Sequence, residues 1–369
     1  MERAAGQVVA GRFRLVSILG TGGMGAVWAA RHLTLNVDVA VKFIDPAANA
    51  QNEPALKRFD QEAKAAAAIQ SPHIVNIIDY GKDESGRPYL AMELLKGEDL
   101  DQRLSRDGPL SLEDFRKIIG EACKGLTAAH STGVIHRDLK PENVFLTEGH
   151  DGTIAKLLDF GIARTDPAIS DHGNLTMTGQ LIGTPMFMSP EQALGKRDLD
   201  GRSDLYSLAV VAFKCLTGQM PYDECDTVGE IIVSITTKVP RDPSNLRKDL
   251  PPAVVAWMKK CLEKSRDARY QTAKEMADAL EEACEVRRMA ASFSGMDVDD
   301  TMPPGPDFDK IDLGAPKMVM TRSRNSEPPK AGPARAAPPE PPPTKSRAWL
   351  FFLVVLLSAG GVVAWLKLH

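Results

Sequence analysis

From about Phe13 to Cys284, apolar runs alternate with turn signals, and their period changes from two to about four residues and back. "RFRLVSIL" reads as a strand, and after a glycine cluster "AVWAA" and "NVDVAVKFID" continue as extended chain. In the last of these, Val37, Val39, Val41 and Phe43 fall on one face, and Asp38, Ala40, Lys42 and Ile44 on the other. "PALKRFDQEAKAAAAIQ" then places Leu56, Phe59, Ala63 and Ala66 on one helical stripe. Further on, "IAKLLDFG" ends an apolar strand at Asp159, and the stretch from there to Glu191 has no clear period. Unstructured loops of that length in compact domains are usually functional.

The pattern breaks after Val286. Residues 286–347 hold 12 of the 26 prolines and few large apolar side chains, so they bury too little to offset their ordering entropy. Residues 285–347 are therefore expected to be a disordered linker. The next 19 residues, Ala348 to Leu366, carry no charge and have Trp349 and Trp365 near the ends. As a helix they would extend roughly 28 Å, close to the hydrocarbon thickness of a bilayer. This predicts one transmembrane helix, with 367–369 as a short extracytoplasmic tail. Lys330, Arg335, Lys345 and Arg347 before it, against Lys367 after it, place the large domain in the cytoplasm by the positive-inside rule. No apolar segment opens the chain, so a secretory signal peptide is not expected.

Composition narrows the options further. A net charge of −4 gives no basic bias and argues against a nucleic-acid partner. The five cysteines show no C-x-x-C spacing, which points away from zinc or a disulfide framework and towards a reducing compartment.

Chemistry concentrates at three places. "LGTGGMGAVW" has four glycines between Gly20 and Gly25 and matches G-x-G-x-x-G. In a dinucleotide-binding fold this pattern precedes a helix; here strand follows, which makes the loop a hairpin and argues against an oxidoreductase. A structural glycine turn is the plain alternative. Lys42, 17 residues beyond Gly25, shares a strand face with the small Ala40, as suits a site that covers a flat base and grips phosphates. "VIHRDLKPENVF" then brings Asp138, Lys140 and Asn143 together in a loop that Pro141 keeps out of helix. With Asp159 these supply a proton acceptor, oxygen donors suited to magnesium, and a cation for phosphate.

Taken in order, "GTGGMGAV", "VAVK", "HRDLKPEN", "DFG" and "GTPMFMSPE" resemble the signature of a bacterial eukaryotic-like (Hanks-type) Ser/Thr protein kinase over 13–284. The resemblance implies an α+β, bilobal fold with a small β-rich N-terminal lobe and a larger helical C-terminal lobe. It implies that Leu19, Gly20, Thr21, Gly22, Gly23, Met24, Gly25, Ala26 and Val27 cover ATP, with Val27 and Ala40 above the adenine and Phe145 below. Met92 would be the gatekeeper, and the Glu93–Leu95 backbone the hinge. Lys42 would contact the α- and β-phosphates and pair with Glu62, at the edge of the helical stripe. Asp138 would take or orient the substrate hydroxyl proton and Lys140 would steady the phosphoryl group. Asn143 and Asp159 would hold Mg2+, with Mn2+ as a substitute. Thr184 would belong to the substrate loop, and Asp204 and an Arg269–Glu191 pair would be structural anchors.

The same resemblance carries regulation. Thr176 and Thr178 are candidates for activation-loop autophosphorylation, with Arg137 as the phosphate grip. A 62-residue coil between domain and membrane would average roughly 45 Å end to end, enough for neighbouring copies to meet and phosphorylate each other. Phe187, Trp28 and Ala209 depart from common family residues, and none of them is a catalytic group. The rival reading is a catalytically weak or inactive kinase-fold scaffold at the membrane. The expected partners are ATP, proteins bearing Ser or Thr, and a plasma or inner membrane.

Overall fold

The computed structural model describes residues 3–22, 25–44, 53–149, 152–160, 185–223, 225 and 227–294, all within one compact unit, Met1–Asp299. Gly23, Met24, Thr176, Thr178, Thr184, the expected linker beyond 294 and the expected membrane span lie outside the described residues. Among those described, no helix is long and apolar enough to cross a membrane.

Six strands form the first lobe: β1 (Val8–Val9), β2 (Phe13–Gly22), β3 (Gly25–His32), β4 (Val37–Ile44), β5 (Ile77–Lys82) and β6 (Pro88–Glu93). They pair antiparallel in the order β1-β2-β3-β4-β6-β5. The two-residue alternation of β4 decides how this sheet packs. Val39, Val41 and Phe43 join Phe13, Trp28 and Tyr89 in an outer cluster, whereas Ala40 joins Met92 and Leu90 on the inner face. Helix α1 (Glu53–Ala67) covers that inner face through Phe59, Ala63 and Ala66, all buried. The stripe read from the sequence at those three positions is therefore the packed one.

The inner face is continuous with the core of a helical lobe. Its elements are α2 (Leu100–Asp107), α3 (Leu112–Ser131), α4 (Pro190–Ala193), α5 (Gly201–Thr217), α6 (Val228–Thr237), α7 (Pro243–Leu246), α8 (Pro252–Cys261) and α9 (Ala273–Ser294). A three-stranded sheet of β7 (Gly97–Asp99), β8 (Val144–Gly149) and β9 (Gly152–Leu157) lies at the junction. Gly97, at the exit of the hinge, has φ +146°, and a Cβ there would stand 1.9 Å from the Leu146 carbonyl oxygen. Only glycine lets β7 approach β8 so closely.

Helix α5 is buried on nearly every face, with Leu205, Leu208, Val210, Val211 and Phe213 at 0–2% exposure. Such a helix acts as an internal pillar rather than a surface element. One boundary differs from the expectation. Helix α9 runs to Ser294, so the start of the stretch read as linker from 285 is helical. "EVRRMAAS" has neither proline nor glycine to stop a helix.

Candidate active site

The cleft is built from the two sheets. Register places Lys42 opposite Val27 on one side and Leu90 on the other, with Ala40 opposite Met92. The glycine strands form the expected hairpin, Gly22 pairing with Gly25, and Gly25 has φ +128°, a value that L side chains rarely adopt. Leu19, Gly20 and Thr21 are exposed, Ala26 and Val27 half-buried, and a Cβ on Gly20 would meet open space.

The hinge is tied on both sides. Glu93 N–H donates to Asn76 O at 2.9 Å. Its carboxylate accepts from Asn76 N–H at 2.8 Å and Lys156 Nζ at 2.6 Å. Phe145, half-buried on β8, pairs with Lys156 and Asp99.

The loop 136–140 is held by buried groups, and residues 141–143, expected to stay out of helix, close into a single 3-10 turn, because proline is tolerated at the first helical position. Asp204, in the first turn of α5 and 1% exposed, accepts from His136 N–H and Arg137 N–H, both at 2.8 Å, and pairs with His130 at 2.8 Å. These amides satisfy a carboxylate that burial would otherwise penalise. His136 is fully buried. Its Nδ1 accepts from Asp138 N–H at 3.4 Å, so Nε2 carries the hydrogen and donates to Leu158 O at 2.7 Å. Its ring also lies 4.7 Å from that of Phe160. One imidazole thus links the segments that present Asp138 and Asp159. Asn143 Nδ2 donates to Asp138 O at 2.7 Å, and Leu158 N–H donates to Asn143 O at 2.9 Å. Two non-glycine residues at the cleft, Arg137 (φ +64°) and Asp159 (φ +53°), adopt left-handed backbone. That costs energy and persists because the surrounding bonds over-determine it.

Lys42 Nζ lies 2.7 Å from Asp159 Oδ2, and Lys140 Nζ 4.0 Å from Asp138 Oδ2. The Lys42–Glu62 pair implied by the resemblance is not formed. Glu62 Oε1 instead lies 3.9 Å from Arg137 Nη1, and the Lys42 ammonium is taken by the nearer Asp159 carboxylate. Three cations, Lys42, Arg137 and Lys140, thus face three carboxylates, Asp159, Glu62 and Asp138, in this region.

Below the cleft, Arg269 Nη1 and Nη2 each donate to Glu191 at 2.9 Å, with side chains 0% and 2% exposed. Burial pushes the Glu191 carboxyl up, but the Arg269 hydrogen bonds and charge, with Ser203, bring it below the usual glutamate range. His136 sits in a quoted motif and could have been singled out from it. Lys156 carries no local signal at all.

This arrangement defines a class: a two-lobed fold with a glycine hairpin, a strand lysine and two aspartate loops about one cleft. A model of the protein kinase domain matches residues 13–280, and the chain belongs to that family. Serine/threonine-protein kinase pkn3 of Myxococcus xanthus is 36% identical over 290 residues, 78% of this chain and 52% of that protein. Serine/threonine-protein kinase PknB of Mycolicibacterium smegmatis is 39% identical over 279 residues, covering 73% and 42%. The chain thus spans about half the length, or less, of these curated relatives. The crystal structure of the Mycobacterium tuberculosis PknI kinase domain superposes with a TM-score of 0.61 at 28% identity, over 76% of this chain and all of that one.

Membership of the family implies use of ATP and a divalent cation. The donors fit such an ion. Asn143 spends its NH2 on Asp138 O, which leaves its carbonyl oxygen to join the carboxylate of Asp159 as a hard oxygen ligand.

Proposed function

We propose that this chain is a serine/threonine protein kinase that moves the γ-phosphoryl group of ATP to a protein hydroxyl. The observation that carries the reading is the anchored loop: Asp204 holds the His136 and Arg137 amides, His136 accepts from Asp138 N–H, Asn143 donates to Asp138 O, and Lys42 pairs with Asp159. The substrate oxygen bonds to phosphorus, the bond from phosphorus to the β–γ bridging oxygen breaks, and the hydroxyl proton passes to Asp138. Phosphoryl transfer asks the protein mainly for positioning and charge stabilisation. Lys42 and Lys140 supply positive charge. Asn143 and Asp159 would hold Mg2+ or, in its place, Mn2+, which when bound would supply charge neutralisation for phosphoryl transfer. With the Glu93 N–H engaged by Asn76, adenine recognition falls to the Glu93 carbonyl and the Leu95 amide. Val27, Ala40 and Phe145 enclose the base.

The reading extends to a cytoplasm-facing domain on a single span, 348–366, in a plasma or inner membrane. Support comes from the uncharged run, its flanking tryptophans and the basic excess before it. Neighbouring copies would then autophosphorylate at Thr176 or Thr178, within reach of the linker.

The test is phosphotransfer from labelled ATP with Mg2+ to the chain itself and to a generic basic protein. Wild type is compared with Asp138→Asn and Lys42→Met, and the sites are mapped by mass. Wild type transfers label, with Thr176 or Thr178 among its sites. Each variant loses about a hundredfold or more, the contribution of a positioned acid–base or charge-stabilising group. Equal signals from all three proteins would leave a scaffold.

A further inference from the structure

We infer that Gln192, at the start of α4, is a positioning residue for Asp138. The inference rests on the kinase reading above for its catalytic consequence and on geometry alone for the contact. Gln192 Nε2 donates to Arg137 O at 2.8 Å. That carbonyl shares a rigid peptide plane with the Asp138 N–H, so holding the oxygen sets the plane from which the Asp138 side chain departs. The residue so held is one of the two left-handed, non-glycine residues of the cleft, Arg137 at φ +64°. Asp204 grips the N–H of this residue and Gln192 grips its C=O. Two elements, α5 and α4, therefore share the task of keeping a costly backbone conformation next to Asp138.

The other end of Gln192 is equally determined. Its Oε1 accepts from Ser189 N–H at 3.0 Å and from Ser189 Oγ at 3.1 Å, and Ser189 is fully buried. The orientation of the amide follows from chemistry: a backbone N–H can only donate to it, and a carbonyl oxygen can only accept from it. Helix α4 is itself fastened through Glu191 to Arg269 and to Ser203 Oγ at 2.7 Å. The buried base of the helical lobe is thus connected, through one side-chain amide, to the reacting loop.

A plain capping role would use only Oε1, and this separates the alternatives. Gln192→Glu keeps acceptors for Ser189 but cannot donate to Arg137 O when ionised; Gln192→Met loses both contacts. The full-length chain is assayed for kcat, for KM of ATP, for Tm and for amide exchange over 134–140. In Gln192→Glu, kcat falls about tenfold or more while KM for ATP stays within about twofold, the signature of lost alignment rather than lost binding. Its Tm stays near that of wild type, and exchange at Asp138 quickens. Gln192→Met shows the same loss of kcat together with a lower Tm. Unchanged kcat and exchange in Gln192→Glu overturn the inference, as does a Tm drop equal to that of Gln192→Met. If wild type transfers no phosphate, the kinase reading fails by itself, and the exchange measurement still decides whether Gln192 holds the Arg137–Asp138 peptide.

Discussion

Arg269 and Glu191 meet through two hydrogen bonds of 2.9 Å, with side chains 0% and 2% exposed. Lys42 and Asp159 meet through one contact of 2.7 Å, with side chains 15% and 34% exposed. Arg137 and Glu62 lie 3.9 Å apart, 41% and 32% exposed. The first pair has no water to replace a lost partner, so it stays paired whatever happens above it. The other two lie partly in solvent, where breaking a pair costs at most about 1 kcal/mol. Permanence belongs to the base of the helical lobe and exchange to the cleft, although both use the same kinds of charge.

The largest effect should come from breaking the buried pair. Arg269→Ala leaves the Glu191 carboxylate buried without its cation, at a cost of about 3–5 kcal/mol. For a domain of this size that lowers Tm on the order of 10 °C by calorimetry. The double variant Arg269→Met/Glu191→Leu recovers much of the loss, because no isolated charge remains. If Arg269→Ala leaves Tm within about 2 °C of wild type, the contrast between buried and exposed pairs is wrong.

Glu62→Gln should have the opposite signature. Its contact with Arg137 is long and half-exposed, so Tm moves by less than about 2 °C. Turnover nevertheless falls about tenfold, a barrier change of about 1.4 kcal/mol. On the proposed kinase reading Glu62 pairs with Lys42 during turnover, and the amide is a poor partner for the ammonium. Steady-state kinetics beside a melting curve reads both. A Glu62→Gln chain with full turnover would mean that this carboxylate has no part in the reaction.

The same contrast explains what could be read from the sequence. Period-two alternation gave the two faces of β4, and the hairpin followed from strand on both sides of the glycines. These are local rules in which each residue reports its own face. The irregular stretch 136–140 was also legible, since the spacing of Asp138, Lys140 and Asn143 is a one-dimensional fact, but the 3-10 turn that Pro141 opens was read as loop. The pairing of Lys42 with Asp159 and of Glu62 with Arg137 was not. It depends on where α1 lies relative to the cleft, a tertiary distance that no spacing encodes. Gln192 was hidden for the same reason: its amide reaches Arg137 across 55 positions of chain. Helix α9 ran past its expected end because proline content marks where a helix is impossible, and "EVRRMAAS" precedes the prolines.

The smallest effect tests whether the helical lobe is as uniformly buried as the Arg269 pair suggests. Lys264 donates to Tyr222 OH at 2.5 Å and to Ile235 O at 2.6 Å, at the end of α6. Burial, and then the like charge of Arg269, bring its ammonium down to about 8. Between about 8 and the ordinary lysine value of 10.5 the unfolded chain binds the extra proton, so stability rises with pH there. Tyr222, pushed up to about 12 by burial, reverses the trend above pH 10, because the unfolded phenol ionises first. Urea midpoints should therefore climb gently from pH 8 to about 10 and then turn down. Lys264→Met should flatten the climb and leave the downturn. The slope is small because Lys264 is only half-buried and water screens much of the penalty. A midpoint that stays level across pH 8–10 would show that the carbonyl and phenol partners of the ammonium offset what burial takes away.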